Sequence, residues 1–252
     1  QPGRVQYNLL CNNEGGIIDD LLVYRHQEYL TLAVNASNTK KDILWLRALS
    51  QTPPFLGKVE IDNIGKTRAI LAIQGPQAPQ VMAAAGYDVS DLPYMGFKVL
   101  GKQGEVTLSR TGYTGEIGYE VYLPEDDGVA LWDKLLEMRD QFSIQPAGLA
   151  ARDTLRLEMG YTLYGNDISE DTNPYEAGLG WAVKTNKGDY VGSKALAEHR
   201  LNVSRKLVGF KVEGRGIARQ GYPIKFNGEL VGEVTSGSIS PSLNVGIGLA
   251  YM

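Results

Sequence analysis

The chain has 252 residues, with 25 Lys plus Arg against 29 Asp plus Glu, and a formal net charge of −4. This mild acidity argues against nucleic acid as a partner, and no apolar run approaches the roughly 20 residues that span a membrane. One cysteine and two histidines exclude an internal disulfide and argue against a cysteine zinc site, a histidine-rich metal centre or a Ser-His-Asp triad, so we expect a soluble globular protein without a metal.

The first elements predict a β-hairpin with an acidic pair in its second strand. Val5–Cys11 and Ile17–Tyr24 flank a polar connector that ends in two glycines, which is typical of a hairpin. Asp19 and Asp20 are neighbours in the second run, and neighbouring strand side chains point to opposite faces. One carboxylate therefore points toward an interior and is paired or used, unless the pair caps a turn or faces solvent on an edge strand.

The remaining pattern predicts an α+β protein with a β-rich C-terminal part. Further strands are predicted at Glu28–Val34, Lys58–Ile64, Arg68–Ile73, Phe97–Leu100, Glu105–Ser109, Tyr119–Leu123, Leu207–Val212, Tyr222–Phe226, Leu230–Ser236 and Val245–Tyr251. Helices are predicted at Thr39–Ser50, Gln77–Ala85, Asp126–Gln141 and Ser193–His199. A further helix is predicted to follow Pro146-Ala-Gly-Leu149 and to run through Glu158. The first of these helices is expected to bury Ile43, Leu44, Leu46 and Leu49, and the third Val129, Leu131, Trp132, Leu135 and Met138. The expected domains are an α+β lobe at 1–57, a central lobe at 58–203 and a C-terminal β module at 204–252.

Two polar segments allow a functional and a structural interpretation. Arg110–Glu120 places two tyrosines and two carboxylates among three glycines, which favours a ligand surface over a plain loop but does not match a phosphate-binding loop. The helix with Arg152, Asp153 and Arg156 is interpreted, on spacing alone, as a surface ion-pair helix.

Six motifs, taken in order, resemble a known family along essentially the whole chain. They are Gly15-Gly-Ile-Ile-Asp-Asp20, Gln74-Gly-Pro76, Arg110-Thr-Gly-Tyr-Thr-Gly-Glu116, Gly148-Leu-Ala-Ala-Arg-Asp153, Leu163-Tyr-Gly165 and Ser236-Gly-Ser-Ile-Ser-Pro241. Together they resemble the folate-binding T-protein family of the glycine cleavage system. Folate-binding domains of dimethylglycine and sarcosine dehydrogenases and the dimethylsulfoniopropionate demethylase share several of them.

The resemblance implies a multi-lobed cloverleaf of antiparallel sheets with flanking helices around a central tetrahydrofolate site, plus a C-terminal β-barrel or jelly-roll-like module. It implies that the one-carbon unit of aminomethyl-dihydrolipoyl H-protein passes to tetrahydrofolate, which gives 5,10-methylenetetrahydrofolate and ammonia. The implied partners are the lipoylated H-protein and folate, with no metal, nucleic acid or membrane. The implied setting is the bacterial cytoplasm, or the mitochondrial matrix in a eukaryote.

The resemblance also assigns the site residues. Asp20 is the implied catalytic carboxylate, which would orient the nucleophile, stabilise positive charge or relay a proton near a folate nitrogen. Asp19 is then expected to face away and to be replaceable. Glu120 is implied to pair with the amino-pyrimidine edge of the pterin, and Arg152 to lie beside the folate, which reverses the surface interpretation of its helix. The implied folate-binding residues are Tyr7, Leu22, Asn35, Tyr94, Tyr113, Glu120 and Arg152.

Departures from the family keep two alternatives open. The family's N-terminal Asp-x-Ser-His-Met-type stretch and its C-terminal strands, with an arginine near the lipoyl entrance, have no counterpart here, and we expect those segments to lie outside the given sequence. The alternatives are a folate-dependent demethylase of a methylated amine or sulfonium compound, and a non-catalytic folate-binding protein.

Overall fold

The computed structural model of the chain describes residues 1–102 and 104–252. The chain folds into two units, each made of three segments. The first unit comprises Gln1–Gln6, Leu22–Ala33 and Ser37–Gly148. The second unit comprises Tyr7–Leu21, Val34–Ala36 and Leu149–Met252. The division into lobes at 1–57, 58–203 and 204–252 remains a prediction.

The described residues form eleven strands and six α-helices, which confirms the α+β class. The strands are β1 Arg4–Cys11, β2 Ile17–Arg25, β3 Leu30–Ala33, β4 Arg68–Gln74, β5 Phe97–Leu100, β6 Val106–Ser109, β7 Gly118–Pro124, β8 Leu207–Lys211, β9 Pro223–Phe226, β10 Glu229–Ser240 and β11 Val245–Tyr251. The helices are α1 Thr39–Ser50, α2 Ala78–Ala84, α3 Glu125–Glu137, α4 Arg139–Phe142, α5 Leu149–Glu158 and α6 Ser193–Leu201. The strands form three sheets in the orders β1-β2-β3, β4-β7-β6-β5 and β8-β11-β10-β9. None of the helices in the described ranges has the length and apolar character needed to cross a membrane.

The first unit is built on the antiparallel sheet β4-β7-β6-β5. The inward residues of its strands, with Leu108 and Val121 fully buried, pack against α2 and α3 in one apolar core. Gly128 lets α3 approach β4 closely, because a Cβ there would lie only 2.4 Å from the Cβ of Ala69. The sheet is thereby a rigid support for the loop between β6 and β7, which carries the glycine-rich motif.

The second unit is built on the antiparallel sheet β8-β11-β10-β9 and on helix α5. Leu157 of α5 packs against Ile247 and Leu249 of β11. Two fully buried ionic side chains, Arg156 of α5 and Asp167 of the following loop, lie in the same unit. The helix interpreted as a surface ion-pair helix therefore has a buried arginine in its last turn.

The connector of the first hairpin is shaped by glycines. Asn12 accepts a hydrogen bond from the backbone N–H of Gly16 at 2.8 Å, and Gly15 adopts a φ of +83°. A Cβ at Gly16 would lie 1.9 Å from the carbonyl oxygen of Glu170. Because that neighbour is backbone, only glycine fits at position 16, and the start of β2 is fixed against the segment around Glu170.

Several predicted elements differ from the structure. The run Lys58–Ile64 forms no strand, since nearly all of it is exposed and β4 pairs along its length with β7 instead. An alternating pattern becomes a strand only where a neighbouring strand can complete its hydrogen bonds. The predicted helix Asp126–Gln141 is two helices, with α3 ending at Glu137 and α4 beginning at Arg139. The hairpin β5–β6 is confirmed, although its connector includes residue 103, which lies outside the described residues.

Two predicted apolar faces are partly wrong. On α1, Leu44 is exposed while Asp42 is buried. On α3, Val129 and Trp132 are exposed, whereas Leu131 and Leu135 lie in the core as expected. In both helices the apolar residues cover a wider face of the helix than the face that is buried. The apolar periodicity alone therefore predicted a buried face that is too wide.

Candidate active site

The acidic pair lies in β2 among fully buried apolar neighbours. Ile17, Ile18 and Leu21 flank the pair and are buried. Asp19 is 0% exposed, and Asp20 is partly buried. The exposed-strand interpretation of the pair is therefore wrong, and both carboxylates need polar partners.

Asp20 is held from two sides. The Tyr7 hydroxyl donates to its Oδ2 at 2.9 Å, and the Asn35 side-chain amide donates to its Oδ1 at 2.9 Å. Tyr7 lies in β1, and Asn35 lies just beyond the end of β3. The structure thus brings together three of the predicted site residues around one carboxylate, while their role in folate binding stays a prediction.

Burial sets the protonation behaviour of Asp20. Desolvation raises the pKa of its carboxyl above the ordinary 3.8, and the nearby charge of Asp19 raises it further. The hydrogen bonds from Tyr7 and Asn35 oppose this rise in pKa because they stabilise the ionised form. A carboxylate that is desolvated yet fixed by two donors can take part in proton transfer or stabilise a nearby positive charge.

Asp19 does not behave as the sequence interpretation expected. Its Oδ1 accepts from the Asn35 side-chain amide at 2.8 Å, and its Oδ2 accepts from the Asn35 backbone N–H at 3.1 Å. A fully buried carboxylate with two donors is costly to replace, because asparagine, serine or alanine would leave at least one of those donors unpaired. The expectation that Asp19 is replaceable stays a prediction, and the burial and hydrogen bonds of Asp19 argue against it.

Trp181 contacts the predicted site residue Tyr7, a contact that the sequence interpretation did not include. Its ring stacks on the Tyr7 ring with centroids 5.5 Å apart and an interplanar angle of 26°. The Trp181 side chain is 62% exposed, so it covers Tyr7 while keeping one face toward solvent. The sequence carries no local signal for this contact, since the two residues lie in distant parts of the chain.

In the first unit, Glu120 of β7 ends a cluster of hydroxyl groups. Its Oε2 accepts hydrogen bonds from the hydroxyls of Thr111 and, at 3.4 Å, Tyr122. The Tyr122 hydroxyl lies 2.8 Å from that of Tyr24, which in turn lies 3.2 Å from the Ser109 hydroxyl. Both of these hydrogen bonds to Glu120 fall on Oε2, while the role of Glu120 in folate binding stays a prediction.

The tyrosines of this cluster act as donors. Burial raises the pKa of Tyr122 well above 10, and the charge of Glu120 raises it further. Burial and the same charge also raise the pKa of Tyr24. Both hydroxyls therefore keep their protons at neutral pH and remain available as hydrogen-bond donors.

The glycine-rich loop that carries Tyr113 is fixed by Gln74. The Gln74 side-chain amide donates to the backbone carbonyls of Thr111 and Tyr119 at 3.2 and 3.3 Å. Its Oε1 accepts from the Thr114 hydroxyl at 3.1 Å. A Cβ at Gly112 or Gly118 would lie 2.0 or 2.3 Å from this side chain. The Gln-Gly-Pro motif and the glycine-rich motif are thus one structural feature, which leaves Tyr113 partly exposed beside β7.

The remaining predicted residues lie in different settings. Leu22 packs against the apolar cluster of Val5, Tyr24 and Phe97 in the first unit. Tyr94 is 69% exposed in the same unit. Arg152 is exposed on α5 of the second unit. Among the described residues, no group of three His, Cys, Asp or Glu side chains lies close enough to hold a metal ion.

Comparison with known proteins gives one consistent family. Residues 1–187 match the family model described as the GCVT N-terminal domain, and residues 205–252 match the model described as the Glycine cleavage T-protein C-terminal barrel domain. An aminomethyltransferase of Halothermothrix orenii is 49% identical over 256 residues, covering 100% of this chain and 70% of that protein. An aminomethyltransferase of Caldanaerobacter subterraneus subsp. tengcongensis is 45% identical over 254 residues, covering 99% of this chain and 67% of that protein.

A solved structure agrees with these relatives. The glycine cleavage system aminomethyltransferase T from Bartonella henselae superposes with a TM-score of 0.90 at 36% identity, covering 100% of this chain and 68% of that chain. The α+β fold with antiparallel sheets and a barrel-type C-terminal part is thereby confirmed. The two family models together match most of the chain, and the relatives are 45–49% identical to it over nearly its whole length. The chain therefore belongs to the glycine cleavage T-protein family.

Proposed function

We propose that the chain is an aminomethyltransferase of the glycine cleavage system. It transfers the one-carbon unit of the aminomethyl group, carried on the dihydrolipoyl arm of H-protein, to tetrahydrofolate, and releases ammonia and the dihydrolipoyl H-protein. The observation that carries the proposal is the desolvated Asp20 carboxylate held by Tyr7 and Asn35, in a chain 49% identical to a named aminomethyltransferase.

The donors and acceptors on the chain fit tetrahydrofolate. Glu120 offers one carboxylate oxygen while its other oxygen is occupied by hydroxyl donors. A carboxylate of this kind accepts N–H bonds from an amino-pyrimidine ring edge. Tyr113 and Tyr94 present partly or largely exposed rings in the same unit, and such rings suit stacking on a heteroaromatic ligand. Arg152 provides an exposed cation that suits an anionic part of the ligand.

Asp20 supplies the chemistry that the chain itself contributes. Bound tetrahydrofolate supplies the nitrogen that accepts the one-carbon unit. Positive charge develops at the transferred carbon as ammonia leaves, and a fixed carboxylate in a desolvated setting stabilises such charge strongly. The raised pKa of Asp20 also suits it to accept or return a proton. Tyr7 and Asn35 hold the carboxylate in one orientation, which limits reorganisation during the reaction.

The proposed partners are H-protein, with its lipoyl arm, and folate. The folate-dependent demethylase is not favoured, because the relatives and the solved structure compared above carry the aminomethyltransferase name. A non-catalytic folate-binding role is not favoured for the same reason.

A coupled assay tests the proposal. Tetrahydrofolate should be consumed only when aminomethylated H-protein is present. Asp20→Asn should lower kcat by about 10² to 10³ while folate affinity changes little. Glu120→Gln should instead weaken folate binding with a smaller effect on kcat. Asp140→Asn, a change at an exposed surface residue, is the control and should leave both quantities unchanged. Full turnover by Asp20→Asn would refute the role given to that carboxylate.

A further inference from the structure

We propose that Asp19 is a positioning residue, which fixes Asn35 so that the Asn35 amide stays on the Asp20 carboxylate. The inference rests on the proposed function, because it gives a role to a second carboxylate in the same reaction. Asp19 acts through Asn35 rather than on the substrate.

Asp19 accepts two hydrogen bonds from Asn35, one from its backbone and one from its side chain. One oxygen of Asp19 accepts the Asn35 backbone N–H at 3.1 Å, and the other accepts the side-chain amide at 2.8 Å. The same amide nitrogen donates to Asp20 Oδ1 at 2.9 Å and to the Asp20 backbone carbonyl at 3.1 Å. Backbone and side chain of Asn35 are thus both tied to Asp19, and the remaining donor capacity of the amide is directed at Asp20.

The sheet places Asn35 opposite Asp20, just beyond the paired residues of β2 and β3. The pairing of β2 with β3 ends at Leu22 and Ala33. Asp20 lies two residues before Leu22 and Asn35 lies two residues after Ala33, so the two face each other just beyond the end of the ladder. At this position the Asp19 carboxylate holds Asn35 through two hydrogen bonds, one to its backbone and one to its side chain.

Only a carboxylate of this size meets both donors. Asn35 presents two N–H groups to Asp19, and an ionised Asp offers two acceptor oxygens. An asparagine at position 19 would offer one acceptor and one donor, so one Asn35 N–H would face another N–H group. Serine or alanine would leave at least one donor unpaired in a site that is 0% exposed.

A double-mutant cycle in the full chain tests the inference. Asp19→Asn and Asn35→Ala should each lower kcat by about 10- to 100-fold, with a smaller change in the folate KM, because a misplaced catalytic group loses rate rather than binding. The kcat of the double variant should be no lower than that of the more damaging single variant, since both changes disrupt the same set of hydrogen bonds around Asn35. Asp42→Asn, at an equally buried aspartate on α1, is the matched control and should keep the wild-type kcat.

A direct readout separates positioning from general destabilisation. In an amide NMR spectrum, the Asn35 side-chain resonances should shift in Asp19→Asn and stay in place in Asp42→Asn. Should Asp19→Asn fail to fold, the Asp20→Asn variant serves instead: the Asn35 backbone amide proton should stay protected from exchange with solvent, because Asp19 still accepts its hydrogen bond, and rapid exchange overturns the inference.

Three further results would also overturn it: wild-type kcat in folded Asp19→Asn, unchanged Asn35 amide resonances in that variant, or kcat losses that multiply independently in the double variant. If the wild-type chain shows no transfer from aminomethylated H-protein, the proposed function fails, while the NMR measurements still decide whether Asp19 holds Asn35.

Discussion

Arg156 and Asp167 form an ion pair at 2.7 Å in which the side chains are 1% and 0% exposed. The guanidinium also donates to Asp153, to the Tyr161 carbonyl and to the Ser236 hydroxyl. Asp167 in turn accepts from the Ser236 hydroxyl at 2.7 Å. Arg156 thereby joins α5, the loop after it and β10 through hydrogen bonds that are shielded from water.

Arg156→Met should destabilise the fold by about 3–5 kcal/mol, because removing one member of a buried pair leaves the other charge uncompensated. Asp167→Asn should destabilise it too, and the double variant should lose less than the sum of the two. Chemical denaturation measures the change in the free energy of unfolding. Lys98→Met is the control, since its partner Asp91 is largely exposed and such pairs contribute at most about 1 kcal/mol. Equal losses from Arg156→Met and Lys98→Met would contradict the structural role of the buried pair.

The sequence predicts the parts of this fold that depend on local patterns. The predicted bounds are confirmed for the strands Phe97–Leu100 and Val245–Tyr251 and for the helix Thr39–Ser50. Alternation and capping residues are local signals, because a few neighbouring residues define them. The environment of Arg156 depends instead on which loop covers α5. The residues near Arg156 in the sequence do not indicate that Asp167 is its ion-pair partner. Trp181 was missed for the same reason, since its contact with Tyr7 joins distant segments.

The site shows the same limit at Asp19. A strand pattern predicts that Asp19 and Asp20 point to opposite faces, and with the resemblance assigning catalysis to Asp20, it leads to the expectation that Asp19 faces away and is replaceable. It does not state that Asn35, beyond the end of a neighbouring strand, reaches both carboxylates. Motif resemblance named Tyr7, Asn35 and Asp20 individually, whereas their hydrogen bonds emerge only from the folded chain.

Asp20→Asn should raise the thermal stability of the protein at pH 7, because it removes a desolvated charge. In this variant the Oδ1 of residue 20 can still accept from Asn35, and the side-chain amide can donate to the Tyr7 hydroxyl, which can accept as well as donate. Folding raises the pKa of Asp20 above 3.8, so the folded state binds this proton more tightly than the unfolded chain does. The ionised carboxylate therefore destabilises the fold above the folded-state pKa, and this penalty disappears as pH falls below the unfolded value. Thermal unfolding of wild type and variant across this range should show a Tm gap that is largest near neutral pH and narrows in acid. A Tm for Asp20→Asn below wild type at pH 7 would contradict the expected sign.

Tyr7→Phe should raise the pKa of Asp20 further. The Tyr7 hydroxyl donates to Asp20 Oδ2 at 2.9 Å, and this hydrogen bond stabilises the ionised carboxylate. Its removal leaves desolvation less opposed, so the proton is held to a higher pH. Titration of the Asp20 carboxyl carbon by NMR measures the shift. Tyr222→Phe, at an exposed tyrosine of the second unit, is the matched control and should leave the pKa in place. A pKa that is unchanged or lower in Tyr7→Phe would show that the hydroxyl does not act on the charge.

Trp181→Ala should impair catalysis far more than stability. The Trp181 ring stacks on Tyr7 and is 62% exposed, and an aromatic pair of this kind contributes about 0.5–1.5 kcal/mol beyond its buried area. Loss of the stack frees the Tyr7 ring, so its hydroxyl spends less time on Asp20. We expect kcat to fall several-fold and the pKa of Asp20 to rise, with partial recovery in Trp181→Phe. Trp132→Ala, which removes a half-exposed tryptophan from α3, is the matched control and should leave kcat unchanged. If both tryptophan variants keep the wild-type kcat and the wild-type pKa of Asp20, Trp181 only covers the Tyr7 ring and does not position its hydroxyl.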